Sequence, residues 1–345
     1  MYKQNAYHEA LYSAISERYT AVRGDVEAAL ERLRSGTGRL LHIHWEEHSL
    51  RNARTRREAT AIIDLLCEQI EEFKQDGGKI FWTVHNVMPH EMEHPDAFLS
   101  FRRRLGKLSD GILVHTPEAV SVLAEQGIQE PLKIILLPHP SYVDMYPADA
   151  SAQGAERGDH KIVLVFGLIR RYKAIHRVIE SFSDKFAREN RCRLEIVGKG
   201  VPGDSYPSEI SALAARRKHV TFREEHIPDT QIGPIMGSAE CVILPYERLL
   251  TSGVAMLALS YGTIVVGPRL RQLEEVYPPA THRFFFQPGD DDDMMRAVAE
   301  TCNISQQERA VLKEQILDRA RYLHPHRISL QLGDLYDATL GLGSR

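Results

Sequence analysis

Short apolar runs, rich in β-branched and aromatic residues, alternate with longer amphipathic stretches along nearly the whole chain. Parallel sheets whose strands are joined by crossover helices leave this signature, so the chain reads as α/β. In the first half, strands are read at 39–45 (RLLHIHW), 79–85 (KIFWTVH), 111–116 (GILVHT) and 133–138 (KIILLP), with helices near 54–75, 96–107 and 117–126. A short strand at 20–24 (TAVRG) follows an N-terminal helix. A second series runs through 161–167, 193–199, 219–223, 241–246 and 263–267. Between the two series, ADASAQGAERGDH is small, polar and aperiodic, as a linker should be. At 345 residues the chain suits two domains better than one core. The expected organisation is a first domain at 1–150, a second at 151–325, and a C-terminal helix at 326–345 able to cross back to the first domain. Pro325 must break the helical tail that starts near Ser305.

Composition narrows the partners. A hydrophobic share of 43% and a charged share of 26% are those of a globular protein, and a net charge of -4 supplies no general attraction for nucleic acid. No run approaches the roughly 20 apolar residues that cross a bilayer. The N-terminus, MYKQNAYHEALYS, lacks the apolar stretch of a secretory signal, so the cytoplasm is the expected location. Cys67, Cys192, Cys241 and Cys302 are scattered without a C-x-x-C pair and read as buried free thiols. The run PGDDDDMMRAV invites a metal site, yet aspartates between Pro-Gly and a helix read better as a cap with an acidic first turn.

In doubly wound sheets ligands gather beyond the carboxyl ends of the strands. His44, Trp45, Glu46 and Glu47 follow one strand here; His85, Asn86, Pro89, His90 and Glu91 follow the next; His115 and Thr116 follow a third. A single histidine at a strand end is more often structural. Several on one edge point to chemistry.

The second half carries a resemblance. VFGLIRRYKAIHRVIESF, LEIVGKG and PYERLLTSGVAMLALSYGTIVVGP are similar to segments of the GT-B glycosyltransferases, particularly the bacterial family-four enzymes and related exopolysaccharide and lipid-linked-saccharide assembly enzymes. The resemblance spans roughly residues 5–340 and implies two Rossmann-like domains facing each other across a cleft. It implies a donor diphosphate held by Gly167, Arg170 and Lys173, with Lys199 at a second strand end. Such chemistry is sound, since glycine lets backbone approach phosphate while Arg and Lys supply donors and charge. His226 and Ile227 fall where a backbone group reads the base. The family's paired glutamates fall on Leu249 and Leu257, so both carboxylates are missing, and Glu247 substitutes only if the loop is rearranged. What remains is Thr251, Ser252 and Gly253 at a helix start, locally as good a plain cap as a phosphate cradle, and the basic loop with Tyr246 nearby tips the reading towards phosphate. In the first half, LHIHW aligns His44 with a sugar-contacting histidine; WTVHNVMPHE carries His85 and His90 on the acceptor side, and His139 stands where relatives carry an asparagine.

The implied activity is transfer of a sugar from a nucleotide-diphosphate sugar to a saccharide or lipid-linked saccharide. No metal cofactor is implied, because basic groups and a helix terminus can neutralise the leaving diphosphate. Inversion would need a base among Glu46, Glu47, His85, His90 and Glu91. Retention would use His44 to orient the sugar. A catalytically inactive scaffold, motivated by the lost glutamates, and a nucleotide-sugar epimerase are the alternatives. Two basic clusters, Arg51, Arg54, Arg56 and Arg57, and Arg102, Arg103, Arg104 and Lys107, raise attachment to an anionic membrane face as an option beside two solvated helix faces.

Overall fold

The computed structural model describes residues 5–87, 93–146, 160–247 and 249–342. The chain forms two compact units, Leu11–His139 with His326–Arg345, and Met1–Ala10 with Pro140–Pro325. They are called below the four-stranded and the six-stranded unit.

A short helix, α1 (Ala6–Leu11), opens the described chain. The four-stranded unit holds β1 (Leu40–His44), β2 (Lys79–Thr83), β3 (Gly111–Val114) and β4 (Ile134–Leu136), all parallel and in sequence order across the sheet. Its helices are α2 (Val26–Arg34), α3 (Arg56–Gln75), α4 (Pro95–Leu108) and α5 (Glu118–Glu125). The start of α3 shows how local sequence sets these elements. Thr55 Oγ1 accepts from the Glu58 N–H at 3.2 Å, while the Glu58 carboxylate accepts from the Arg54 N–H at 2.8 Å. Ala59, Ile63, Cys67, Ile70 and Phe73 then recur at helical spacing and are the residues that α3 buries.

The strand expected at 20–24 does not form; these residues are exposed and irregular. Three β-compatible residues with no neighbouring strand to pair against do not make a strand.

The six-stranded unit is also fully parallel. It contains β5 (Lys161–Phe166), β6 (Cys192–Gly198), β7 (Val220–Glu224), β8 (Ala239–Ile243), β9 (Val265–Pro268) and β10 (Phe285–Phe286), in the order β10-β9-β8-β5-β6-β7. The two-residue β10 is too short to leave a sequence signal. The helices are α6 (Ile175–Ser181), α7 (Asp184–Asn190), α8 (Tyr206–Ala214), α9 (Asp229–Ser238), α10 (Gly253–Ser260), α11 (Arg271–Val276), α12 (Asp291–Asn303) and α13 (Gln306–Tyr322). Central strands such as β5 and β8 carry unbroken apolar runs, at 162–166 and 241–243, as strands covered on both faces do.

The boundary expected at 150 falls within 147–159, outside the described residues. After the break before Pro325, α14 (Pro325–Leu340) meets residues of the four-stranded unit: Ser329 Oγ accepts from Ala14 N–H at 2.9 Å, and Asp337 accepts from Tyr19 Oη at 2.5 Å. The four cysteines are buried free thiols. Asp290 caps α12 by accepting from the Asp293 N–H at 2.9 Å, with Asp291, Asp292 and Asp293 in the first turn.

Candidate functional site

In the four-stranded unit, a histidine stands at or just beyond the carboxyl end of every strand: His44 ends β1, His85 follows β2, His115 follows β3 and His139 follows β4. Parallel order brings them into a row. His44 Nδ1 meets His85 Nε2 at 3.0 Å, the rings of His85 and His115 are 5.7 Å apart, and those of His115 and His139 are 5.1 Å apart. Trp45, in a left-handed conformation (φ 45°), stacks on His85 at 4.2 Å. His115 Nδ1 donates to the Leu137 carbonyl at 2.8 Å, and burial pushes its pKa down to about 4, so this ring stays neutral.

The two glutamates after β1 have separate environments. Glu46 and Arg102 both have side chains with 0% exposure and pair at 2.7 Å. Arg102 also donates to the carbonyls of Asn86 and Val87 at 2.7 and 2.8 Å and to Gln126 at 2.8 Å, and its guanidinium lies 4.7 Å from the Phe98 ring. This clamp fixes the loop that carries His85. Arg102 is therefore no part of a basic surface, contrary to expectation; the buried Glu46 carboxylate draws it inward. Glu47 instead accepts from Asn86 Nδ2 at 2.7 Å while its Oε2 is buried without a hydrogen bond, and burial, followed by the charge of Glu46, holds its carboxyl well above the usual carboxylate range. His90 and Glu91 lie outside the described residues.

The donor-side candidates of the six-stranded unit follow β8, β5, β6 and β7, four adjacent strands. Gly167 adopts φ 96° directly after β5, and a Cβ at Gly198 would lie 1.8 Å from the Gly167 carbonyl oxygen, so glycine is required where these two loops cross. Lys173 is only 8% exposed, and burial alone lowers its pKa to about 8. Among the described residues no carboxylate pairs with it; its Nζ lies 5.9 Å from the Tyr246 ring and 3.5 Å from where a Gly167 Cβ would be. The Tyr246 hydroxyl meets Ser252 Oγ at 3.0 Å, and Ser252 caps α10 by accepting from the Ala255 N–H at 3.2 Å. The structure thus groups Gly167, Lys173, Tyr246 and Ser252, with Thr251 and Gly253 flanking the cap.

Arg170 is half-buried, 4.0 Å from Asp204. Lys199 is exposed, on a loop joined to that of Arg170 by the Ile169 N–H to Lys199 carbonyl bond at 3.0 Å. His226 is exposed and Ile227 buried after β7. Leu249 and Leu257, at the two absent glutamate positions, pack into the core, while Glu247 accepts from Arg177 at 2.9 Å. Sequence reading passed over Tyr12, His42, Thr83 and Tyr336, which are hydrogen-bonded into the histidine row; only the alternation of His42 and His44 on one strand face signalled any of them. Among the described residues no group of three or more His, Cys, Asp or Glu is arranged to hold a metal ion.

Two parallel-sheet units with polar residues on their carboxyl edges are the GT-B architecture, and the solved structures agree. The sucrose-phosphate synthase of Thermosynechococcus elongatus superposes with a TM-score of 0.73 at 18% identity, over 92% of this chain and 78% of that one. Anabaena Alr3699/HepE, solved with UDP and glucose, gives 0.68 at 13% identity, over 90% and 82%. Residues 160–303 match the family described as glycosyl transferases group 1. The GDP-mannose:glycolipid 4-beta-D-mannosyltransferase of Xanthomonas campestris pv. campestris is 26% identical over 265 residues, 76% of this chain and 68% of that protein. The chain is a glycosyltransferase of the GT-B fold.

Proposed function

We propose that this glycosyltransferase moves a hexosyl group from a nucleoside-diphosphate sugar, GDP-mannose foremost, to a saccharide or lipid-linked saccharide, without a metal cofactor. The observation that carries the reading is Lys173: a buried ammonium with no carboxylate partner among the described residues suits an anion arriving from outside. Lys173, Arg170, Lys199 and the N-terminus of α10 would together neutralise the departing diphosphate, the work a divalent ion does elsewhere. Gly167, Thr251, Ser252 and Gly253 would shape the cradle, and His226 and Ile227 would lie against the base. Likeness to a GDP-mannose:glycolipid 4-beta-D-mannosyltransferase supports donor and acceptor class.

A β-linked product from an α-linked donor requires inversion and therefore a general base. His85 and Glu47 are the candidates, His44 positions, and Glu46 is committed to Arg102. The exposed Arg51, Arg54, Arg56, Arg57, Arg103 and Lys107 would meet an anionic membrane face if the acceptor is lipid-linked; among the described residues no helix is long and apolar enough to span a bilayer.

The test is incubation of the purified chain with GDP-mannose and lipid-linked oligosaccharide, with and without chelator, reading GDP release and the anomeric configuration of the product. GDP release unaffected by chelator, with a β-linked product, is expected. Turnover only of another nucleotide sugar would overturn the donor assignment, and abolition by chelator would overturn metal independence.

A further inference from the structure

The loops beyond β6 and β7 hold a carboxylate that the six-stranded unit leaves unmatched. A Cβ at Gly200 would lie 2.6 Å from Glu224 Oε1 and 2.4 Å from Pro207 Cγ, so glycine at 200 makes the room in which that oxygen sits. Strand register sets Glu224, the last residue of β7, beside Gly198, and the Glu225 N–H donates to the Gly198 carbonyl at 3.0 Å. Neighbouring acids are already engaged. Glu225 pairs with Arg223 at 2.7 Å, Asp204 with Arg170 at 4.0 Å and Glu247 with Arg177 at 2.9 Å. Glu224 is exposed and makes no hydrogen bond or ion pair among the described residues.

The order of the strands fixes how far this carboxylate stands from the diphosphate cradle. Lys173 Nζ and the turn at Gly167 lie beyond β5, and the loop after β6 crosses that turn, with Ile169 bridged to Gly200. From β5 to β7 is two strand spacings, about 9–10 Å. A nucleoside whose phosphates lie at Lys173 covers that span with its ribose over β6, where positions 198 and 200 carry no side chain, and brings the edge of its base to Glu224. An ionised carboxylate only accepts, and its two oxygens take two parallel N–H donors. Among the common nucleobases, guanine alone sets two donors side by side on its pairing edge, the ring N–H and the exocyclic amino group. Uracil, thymine, cytosine and adenine each put a bare acceptor beside every donor on that edge, so the same carboxylate repels them.

We propose that Glu224 is a specificity-determining residue that selects guanine, its two carboxylate oxygens accepting from the ring N–H and the exocyclic amino group of a GDP-sugar donor. The proposal rests on the donor reading above, with the phosphates at Lys173 and the base near His226, two residues beyond Glu224. It separates grip from choice. Lys173 holds any diphosphate, whereas Glu224 distinguishes the base that the diphosphate carries.

The experiment is calorimetric titration of the full chain, wild type and Glu224→Ala, with GDP, IDP, 2′-deoxy-GDP and UDP. IDP keeps the ring N–H and lacks the exocyclic amino group, while 2′-deoxy-GDP keeps the base and lacks a ribose hydroxyl. Because Glu224 is exposed, the variant should melt as wild type does. Wild type is expected to bind GDP about tenfold more tightly than IDP. Glu224→Ala should lose about tenfold to a hundredfold in affinity for GDP, most of its preference over IDP, and nothing for UDP. Equal losses for GDP and UDP, or an unchanged ratio of GDP to IDP, would overturn the assignment and leave the diphosphate cradle standing. A wild-type preference for GDP over 2′-deoxy-GDP that disappears in Glu224→Ala would put the carboxylate on the ribose and sink guanine selection. Tighter binding of UDP than of GDP by wild type would overturn the proposal together with the donor assignment.

Discussion

The two carboxyl edges are built on opposite electrostatic plans. On the four-stranded sheet, most polar groups meet one another: imidazoles bond to imidazoles and tyrosines, and the buried cation Arg102 is enclosed by Glu46, two carbonyls and Gln126. On the six-stranded sheet, Lys173 is buried beside an aromatic ring with no carboxylate partner among the described residues. Under the proposed function, the first edge handles the proton of the acceptor and gains from being internally connected, whereas the second receives an anion and gains from positive charge held in reserve. The first shows in hydrogen bonds. The second shows in a destabilising charge.

The sharpest way to break this contrast is to make the enclosed cation disappear. Arg102→Met leaves Glu46 buried without its partner, so stability should fall by about 3–5 kcal/mol. Both tryptophans, Trp45 and Trp82, lie in the four-stranded unit, so urea unfolding followed by tryptophan fluorescence reads that unit selectively. A midpoint equal to wild type would mean the clamp adds nothing.

Next in size come the histidines. His44→Ala and His85→Ala should each reduce turnover of GDP-mannose by about a hundredfold and leave GDP affinity as it was, because neither belongs to the unit that carries Lys173. Steady-state kinetics beside calorimetry separates the two effects; a matching loss of GDP affinity would erase the division of labour. The smallest effect is at the surface. Binding to anionic vesicles should rise with anionic lipid content and fall with salt, each basic residue near the surface adding about 1 kcal/mol. Absence of binding to such vesicles at low salt would favour an acceptor in solution.

Much of the fold was legible because a parallel sheet writes itself as repeated short apolar runs, and among the described residues nine of the ten strands carry such a run. TAVRG misled because propensity without a pairing neighbour is empty. The site was legible where backbone need and chemistry coincide: Gly167 and Gly198 are glycines because loops cross there, and Lys173 follows at a fixed distance. Sequence could not separate Glu46 from Glu47, since only the fold decides which one meets Arg102. Nor could it find Tyr12 and Tyr336, which reach His42 from 30 residues before and 294 after it. The missing glutamates at Leu249 and Leu257 were plain to read; their replacement by core packing was not.

The central claim is that Lys173 waits for a diphosphate, and calorimetric titration of UDP, GDP, ADP and dTDP into wild type and Lys173→Met tests it most directly. The preferred diphosphate should lose about tenfold to a hundredfold in affinity in the variant, the worth of a charge-assisted hydrogen bond of about 1.5–3 kcal/mol. The ligand-free variant should melt higher, because a desolvated charge has gone. The sign with pH is fixed by the lowered lysine: burial brings it to about 8, only the protonated amine attracts phosphate, and so wild-type affinity should hold below pH 8 and fall above it, with proton uptake on binding there. Affinity that is unchanged by Lys173→Met and level from pH 7 to about pH 9.5 would contradict the account.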